Sequence, residues 1–206
     1  MNFIRPQSPS VGNLRQRALL TAHRRLEQCG EAGISLRPIA AELGTGVGSL
    51  YYHFANKDAL LAELAIDGFG ELGRWMAMAA AAPPKGAAFF AACHAYLGFT
   101  RHRPGLYALM YNERLLAGHE GVRQAEAAAF EIYRRSLDGA GLAEQDVADV
   151  ALTLWTLGRG MASISSRFGG AAAPGSRQMV GRILRGLAAL ADAPIHTLGG
   201  TTSDAA

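Results

Sequence analysis

The chain has 206 residues, half of them hydrophobic, and a formal net charge of +3. That is enough apolar material for one large or two small domains with a substantial core. No uninterrupted apolar run is long enough to cross a membrane, the first twelve residues lack the apolar centre of a signal peptide, and two distant cysteines make neither a disulfide framework nor a metal-ligand spacing.

Abundant alanine, scattered glycine and missing β-branched runs predict an all-α chain. Residues 1–12, with Pro6 and Pro9, read as a mobile arm. A first helix is expected from about Gly12 to Gly30, with Leu14, Ala18, Leu19, Ala22, Leu26 and Cys29 on one face and arginines on the other. Both cysteines, Cys29 and Cys93, read as reduced core thiols. Ser35 is placed to cap the next helix, and Pro38 falls in its first turn, where no intrahelical N–H is required.

The stretch from Ser35 to Leu60 carries the most information. Two short helices flank a Gly44-Thr45-Gly46 turn. Ile39, Ala40 and Leu43 on the first, and Val47, Leu50 and Phe54 on the second, have the spacing of an inward face. Gly48, Ser49, Tyr52 and His53 remain outward. Small residues let a backbone approach base edges closely, while hydroxyls and an imidazole can meet bases or phosphates, so this face suits a DNA major groove. Asn56 caps a long helix that runs through Leu60, Leu61, Leu64, Phe69, Leu72 and Trp75 to Pro83-Pro84, with Asp58 at the positive end of its dipole. Up to Leu60 there are seven basic against four acidic residues, and the remainder balances at thirteen each. The whole net charge therefore lies on the third expected to face DNA, where it would steer phosphate.

These residues resemble the DNA-binding domain of the TetR family of bacterial transcriptional repressors. The resemblance is carried by Arg37, Ile39-Ala40, Gly44, Leu50-Tyr51, His53-Phe54 and Lys57-Asp58-Ala59-Leu60, and it covers roughly Leu14 to Leu64. Where the family has an apolar residue and a capping serine after the turn glycine, this chain has Thr45 and Gly46. The resemblance implies that Arg37, Val47, Gly48 and Ser49 face base edges. It implies that Thr45, Tyr51, His53 and Lys57 anchor the backbone, with Tyr52 able to do either.

Beyond Pro84, five helices are expected at about Gly86–Arg101, Pro104–Ala117, Gly121–Ala140, Ala143–Phe168 and Gly175–Ala191, with breaks at Gly139 to Gly141 and from Gly169 to Pro174. Pro104 to Tyr111 and Trp155 to Gly160 resemble a C-terminal subclass of the same family called WHG, although Arg159 stands where that subclass has histidine. The resemblance implies a homodimer through the last two helices, Leu152 to Ile164 and Val180 to Leu190, aided by small residues at Gly158, Gly160, Ala162, Gly181 and Gly186. The alternative is that those small residues pack the protomer's own core.

The resemblance also implies a small-molecule effector site among Phe89, Phe90, Cys93, Leu97, Tyr107, Met110, Tyr111, Trp155 and Arg159; the alternative is that the apolar and aromatic residues are ordinary core and that Arg159 reaches solvent or a carboxylate across an interface. His94, His102 and His119 fall in no nucleophile, metal or phosphate-loop pattern, so neither an enzyme nor a metal or cofactor is expected. The division expected is a 1–12 arm, a 13–58 helix-turn-helix domain, a 59–192 helical ligand and dimerisation domain, and a 193–206 tail. The reading is a cytoplasmic, operator-binding repressor released by an apolar or acidic ligand. Its rival is a constitutive DNA-binding or adaptor protein of the same fold with a filled core.

Overall fold

The computed structural model describes the backbone of residues 11–82, 85–167 and 185, and side chains from Leu14 to Ala82, from Ala87 to Gly160 and at Arg185. The described residues form nine α-helices and no strand. They are α1 (Val11–Cys29), α2 (Leu36–Glu42), α3 (Val47–Tyr51), α4 (Lys57–Ala81), α5 (Lys85–His102), α6 (Pro104–Met110), α7 (Glu113–Gly118), α8 (Glu120–Arg135) and α9 (Glu144–Arg167), with a 3-10 turn over Glu31–Gly33 after α1. Nearly all described residues belong to one compact unit, Met1–Ala162; the other, Ser163–Ala206, lies largely outside the description.

Periodicity explains where the core sits. In α1, Ala18, Leu19, Ala22 and Leu26 are buried and pack with Ile34, Leu36, Ile39, Leu50 and Phe54. Cys29, expected on that face, is exposed: it is the last residue of α1 and lies beyond the final buried turn. In α4, Leu60, Leu61, Leu64, Ala65, Phe69, Leu72 and Met76 are buried along 25 residues, and the helix packs against α1, α5, α6 and α8. The Asn56 side chain accepts a hydrogen bond from the Ala59 N–H at 2.8 Å, as a cap should. Ser35 has extended cap geometry, but its side chain makes no capping bond.

The expected Pro104–Ala117 helix is two helices. Tyr111 closes α6, and Asn112 opens α7 by accepting from the N–H groups of Arg114 (3.0 Å) and Leu115 (3.4 Å). Asparagine competes with a continuing helix because its side chain can replace the backbone acceptor. The helix expected to reach Ala140 ends at Arg135, and the chain turns through Gly139 and Gly141, both at positive φ. The arm proper, residues 1–10, the helix expected at Gly175–Ala191 apart from Arg185, the connection from Gly169 to Pro174 and the 193–206 tail lie outside the described residues; Val11 and Gly12, expected in the arm, already belong to α1.

Candidate nucleic-acid interface

The α2–α3 turn follows from its sequence. Gly44 sits at φ +65° with no atom within 4 Å of an added Cβ, so the backbone conformation, not space, requires glycine. The Thr45 N–H donates to the Ala40 carbonyl (3.0 Å) and the Gly44 N–H to the Ala41 carbonyl (3.1 Å). This paired closure satisfies the last carbonyls of α2 and turns the chain at once into α3. Gly46 is the N-cap of α3 and offers no side-chain acceptor, in keeping with its departure from the family pattern.

Leu50 and Phe54 bolt α3 to the core from within, and Val47 packs on the same cluster while half-buried. The opposite face is bare. Gly48 and Ser49 are exposed, and a Cβ added at Gly46 or Gly48 would meet nothing within 4 Å. Tyr52 is 81% exposed and Tyr51 54%, so two phenols flank a nearly side-chain-free first turn. His53 is half-buried, with its ring edge-on to both Tyr52 and Phe54, and can brace α3 as well as touch a phosphate.

The basic excess is partly spent inside the protein. Arg24 pairs with Glu42, Arg25 reaches Glu42 and the Gly33 carbonyl, and Arg15 pairs with Glu63 while lying over the Phe54 ring. Arg37, exposed on α2, has no carboxylate partner among the described residues. Lys57 Nζ donates to the Glu31 carbonyl at 3.0 Å, so the ammonium holds the 3-10 turn with one donor and has two left for phosphate.

A second constellation lies in the helical bundle. Tyr96 and Tyr107 share a hydrogen bond at 2.7 Å, and Trp155 packs edge-on against Tyr96 (5.2 Å), Tyr133 (5.3 Å) and Phe130 (5.7 Å) between ring centroids. Tyr111 lies 4.9 Å from Tyr107, and its buried hydroxyl has no hydrogen-bond partner among the described residues. Burial pushes the hydroxyls of Tyr96, Tyr107 and Tyr111 well above the usual phenol range, so all three are neutral donors. Arg159 stacks over the Tyr111 ring at 4.3 Å and sits 3.6 Å from Glu126, with 43% of its side chain exposed. It is neither in bulk solvent nor tightly paired. Cys93 contacts the Tyr133 hydroxyl at 3.3 Å, and burial pushes its thiol up to about 11, so it is an inert thiol.

Of the expected effector residues, Phe89, Cys93, Tyr107, Tyr111 and Trp155 join this aromatic cluster, while Met110 belongs to the wider hydrophobic core and Leu97 packs against it. Phe90 does not: it faces outward on α5 at 52% exposure. Tyr96, Tyr133 and Phe130 belong to the cluster and were missed. The spacing Phe89–Cys93–Tyr96 along α5 and Phe130–Tyr133 along α8 was the available signal. Gly158, expected at a dimer contact, is buried, and a Cβ there would meet the Tyr96 ring at 3.3 Å within the same protomer. The Val180 to Leu190 face, with Gly181 and Gly186, lies outside the described residues apart from Arg185, as does the side chain of Ala162.

Comparison with known proteins identifies the two halves of the chain. Residues 19–64 match the family of bacterial regulatory proteins described as tetR, and residues 89–194 match the tetracyclin repressor-like C-terminal domain. A curated relative, the uncharacterized HTH-type transcriptional regulator YobS of Bacillus subtilis, is 30% identical over 100 residues; the match spans 48% of this chain and about half, 52%, of that protein. A solved structure of a Rhodococcus protein of unknown function is 28% identical with a TM-score of 0.70, covering 83% of this chain and 90% of that one. Mycobacterium smegmatis BioQ is 26% identical with a TM-score of 0.58, covering 85% and 98%. A regulatory protein in the tetR family from Rhodococcus, at 15% identity, shares the fold with a TM-score of 0.62 over 88% and 96%. Regulators of this kind bind operator DNA, usually as dimers, and are generally not enzymes. With a capped turn presenting α3 at one end and matches covering both the reader and the bundle, the chain belongs to the TetR family of DNA-binding transcriptional regulators.

Proposed function

We propose that this protein is a homodimeric repressor, and that a small apolar or acidic ligand in the bundle releases it from its operator. The observation that carries the DNA half is the bare first turn of α3 on a fully buried Leu50–Phe54 anchor. Gly48, Ser49 and Arg37 would meet base edges, with Val47 offering apolar contact. Thr45, Tyr51, His53 and Lys57 would hold sugar and phosphate, and Tyr52 either. Residues 13–58 would form the reader and 59–192 the ligand and dimerisation domain. Leu152, Thr156, Arg159 and Gly160 form one exposed stripe on α9, at the spacing of a helix face awaiting a partner copy.

The effector half is supported by the unpartnered Tyr111 hydroxyl beneath Arg159. A buried neutral donor beside a half-exposed cation suits a carboxylate or carbonyl on an otherwise apolar molecule. Ligand would favour a dimer whose recognition helices no longer match successive major grooves, ~34–36 Å apart.

The test begins with selection of bound duplexes from a random library, followed by light scattering of the complex. A two-fold symmetric site bound by a dimer supports the reading; recovery of no enriched sequence rejects it. On that duplex, Lys57→Ala should flatten the log–log salt dependence by about 0.9, the release of one phosphate contact. Arg159→Met should leave operator affinity intact and abolish release by apolar acids drawn from a metabolite panel. A panel that releases neither protein favours the filled-core, effector-free alternative, which the close aromatic packing around Trp155 would suit.

A further inference from the structure

Outside the α3 face and the aromatic cluster, one titratable side chain sits where other charges contend for it. His23, on α1, is largely buried, and its two ring nitrogens engage different partners. Nδ1 lies 3.5 Å from Arg103 Nη2, and Nε2 lies 3.6 Å from Asp67 Oδ2 on α4. A guanidinium can only donate, so Nδ1 accepts, and the proton of the neutral ring stands on Nε2, toward Asp67. Arg103, the residue after α5, is shared further: it lies 3.6 Å from Glu27 on α1 and 3.3 Å from Glu71 on α4. Its buried Nε has no hydrogen-bond partner among the described residues. The charged groups around His23 are thus Arg103, Asp67 and Glu71, with Glu27 one turn along α1 and drawn in through Arg103.

A proton and Arg103 therefore compete for one lone pair. Protonating Nδ1 removes the acceptor and sets an imidazolium against a guanidinium at 3.5 Å, so Arg103 has to withdraw from His23. Asp67 then gains a charged partner, but its side chain is 51% exposed and screened, so that pair gives back little. Burial, and then Arg103, hold the imidazole below its ordinary value against the pull of Asp67 and Glu71, so the contact is firmest with the ring neutral. Helix α1 shares its core with Leu50 and Phe54 beneath α3, and a loosened α1 has to be ordered again when α3 meets DNA. Resting on the operator-binding reading above, we propose that His23 is a proton-operated latch: neutral, it holds Arg103 on α1; protonated, it releases Arg103, and operator affinity falls. The sign is opposite to that of simple charge, since acid adds positive charge to imidazoles such as His53 and should strengthen phosphate binding.

The opposite sign gives a test needing no effector. Affinity for a duplex recovered by the selection is measured at fixed salt at about pH 7.5 and about pH 5.5, with a scrambled duplex of equal length beside it. The unsubstituted protein should bind the operator about fivefold more weakly at the lower pH, the small end of the usual coupling between sites, while scrambled duplex binds as well or better. His23→Gln, whose amide can accept from Arg103 and donate to Asp67 without titrating, should bind alike at both. Asp67→Asn, at an exposed position, withdraws the carboxylate that favours the protonated ring and should move the fall to lower pH. Operator binding by the unsubstituted protein that is equal or stronger in acid would overturn the latch. So would an equal fall on the scrambled duplex, or a fall that His23→Gln leaves intact. Should His23→Gln lose its helical circular dichroism, Asp67→Asn decides, and an unmoved fall refutes the latch. A protein that shifts no duplex at either pH would instead defeat the operator reading, and the latch with it.

Discussion

The reader and the aromatic cluster are built on opposite plans. Around α3 the side chains that matter are nearly absent: Gly46, Gly48 and Ser49 leave backbone open, and buried Leu50 and Phe54 do the holding. Around Trp155 the space is filled with rings in edge contact, and polar atoms are few and buried. A surface that must lie against base edges gains from small residues on a rigid support. A site that must respond to a molecule, or simply hold a bundle together, gains from large polarizable surfaces with one or two donors. The difference teaches that the reader's function lives in shape and the cluster's in contacts, so the two should fail differently.

The sharpest contrast is between two phenylalanines. Phe54→Ala removes a fully buried ring beneath α3 and should cost ~3–5 kcal/mol, whereas Phe90→Ala on the outer face of α5 should stay within ~0.5 kcal/mol. Denaturant titration of both variants checks this. Equal losses would mean that Phe90 is covered in solution by a partner copy.

Two glycines, Gly44 in the turn before α3 and Gly48 in its first turn, separate shape from stability on a smaller scale. Gly44→Ala forces a Cβ into φ +65° and should cost about 1 kcal/mol in melting experiments. Gly48→Ala meets open space and should leave stability unchanged or slightly raised, while weakening operator binding because the added methyl stands between backbone and bases. A Gly48→Ala protein with full operator affinity would remove the first turn of α3 from the interface.

The smallest expected effect is a pH slope. Burial, and then the nearby Arg103, hold the His23 imidazole below its ordinary value of 6.5, while Asp67 and Glu71 on α4 act in the opposite direction. The unfolded chain therefore takes up a proton first as pH falls below 6.5, and stability drops over that window. His23→Gln should flatten the dependence of the melting temperature between neutral pH and pH 5.5. An unchanged slope would assign the acid sensitivity to other groups.

How much of this was legible in the sequence differs between the regions for the same reason. Ser35 to Leu60 is local: turn glycine, cap and apolar spacing lie within one short stretch, and the buried set Ile39, Ala40, Leu50 and Phe54 follows from periodicity. The cluster is assembled from α5, α6, α8 and α9, so helical spacing marks Tyr96 and Tyr133 as inward on their own helices but does not show that they meet Trp155. Gly158 looked like a small residue for a dimer contact, but its lack of a side chain makes room for Tyr96. The break at Tyr111-Asn112 was hidden inside a continuous apolar pattern, because the capping role of Asn112 shows only once its acceptor geometry is formed. Glu27 reads as one more surface charge on α1 until α6 is brought against it.

The central claim is that the first turn of α3 reads sequence. It is tested most directly by repeating the duplex selection with Ser49→Ala beside the unsubstituted protein. The account predicts a symmetric site with half-sites centred about 10 base pairs apart for the unsubstituted protein. For the variant it predicts the same spacing with relaxed preference at one base pair in each half. Identical preferences at every position from the two proteins, or an unsubstituted site without half-site symmetry, would contradict it.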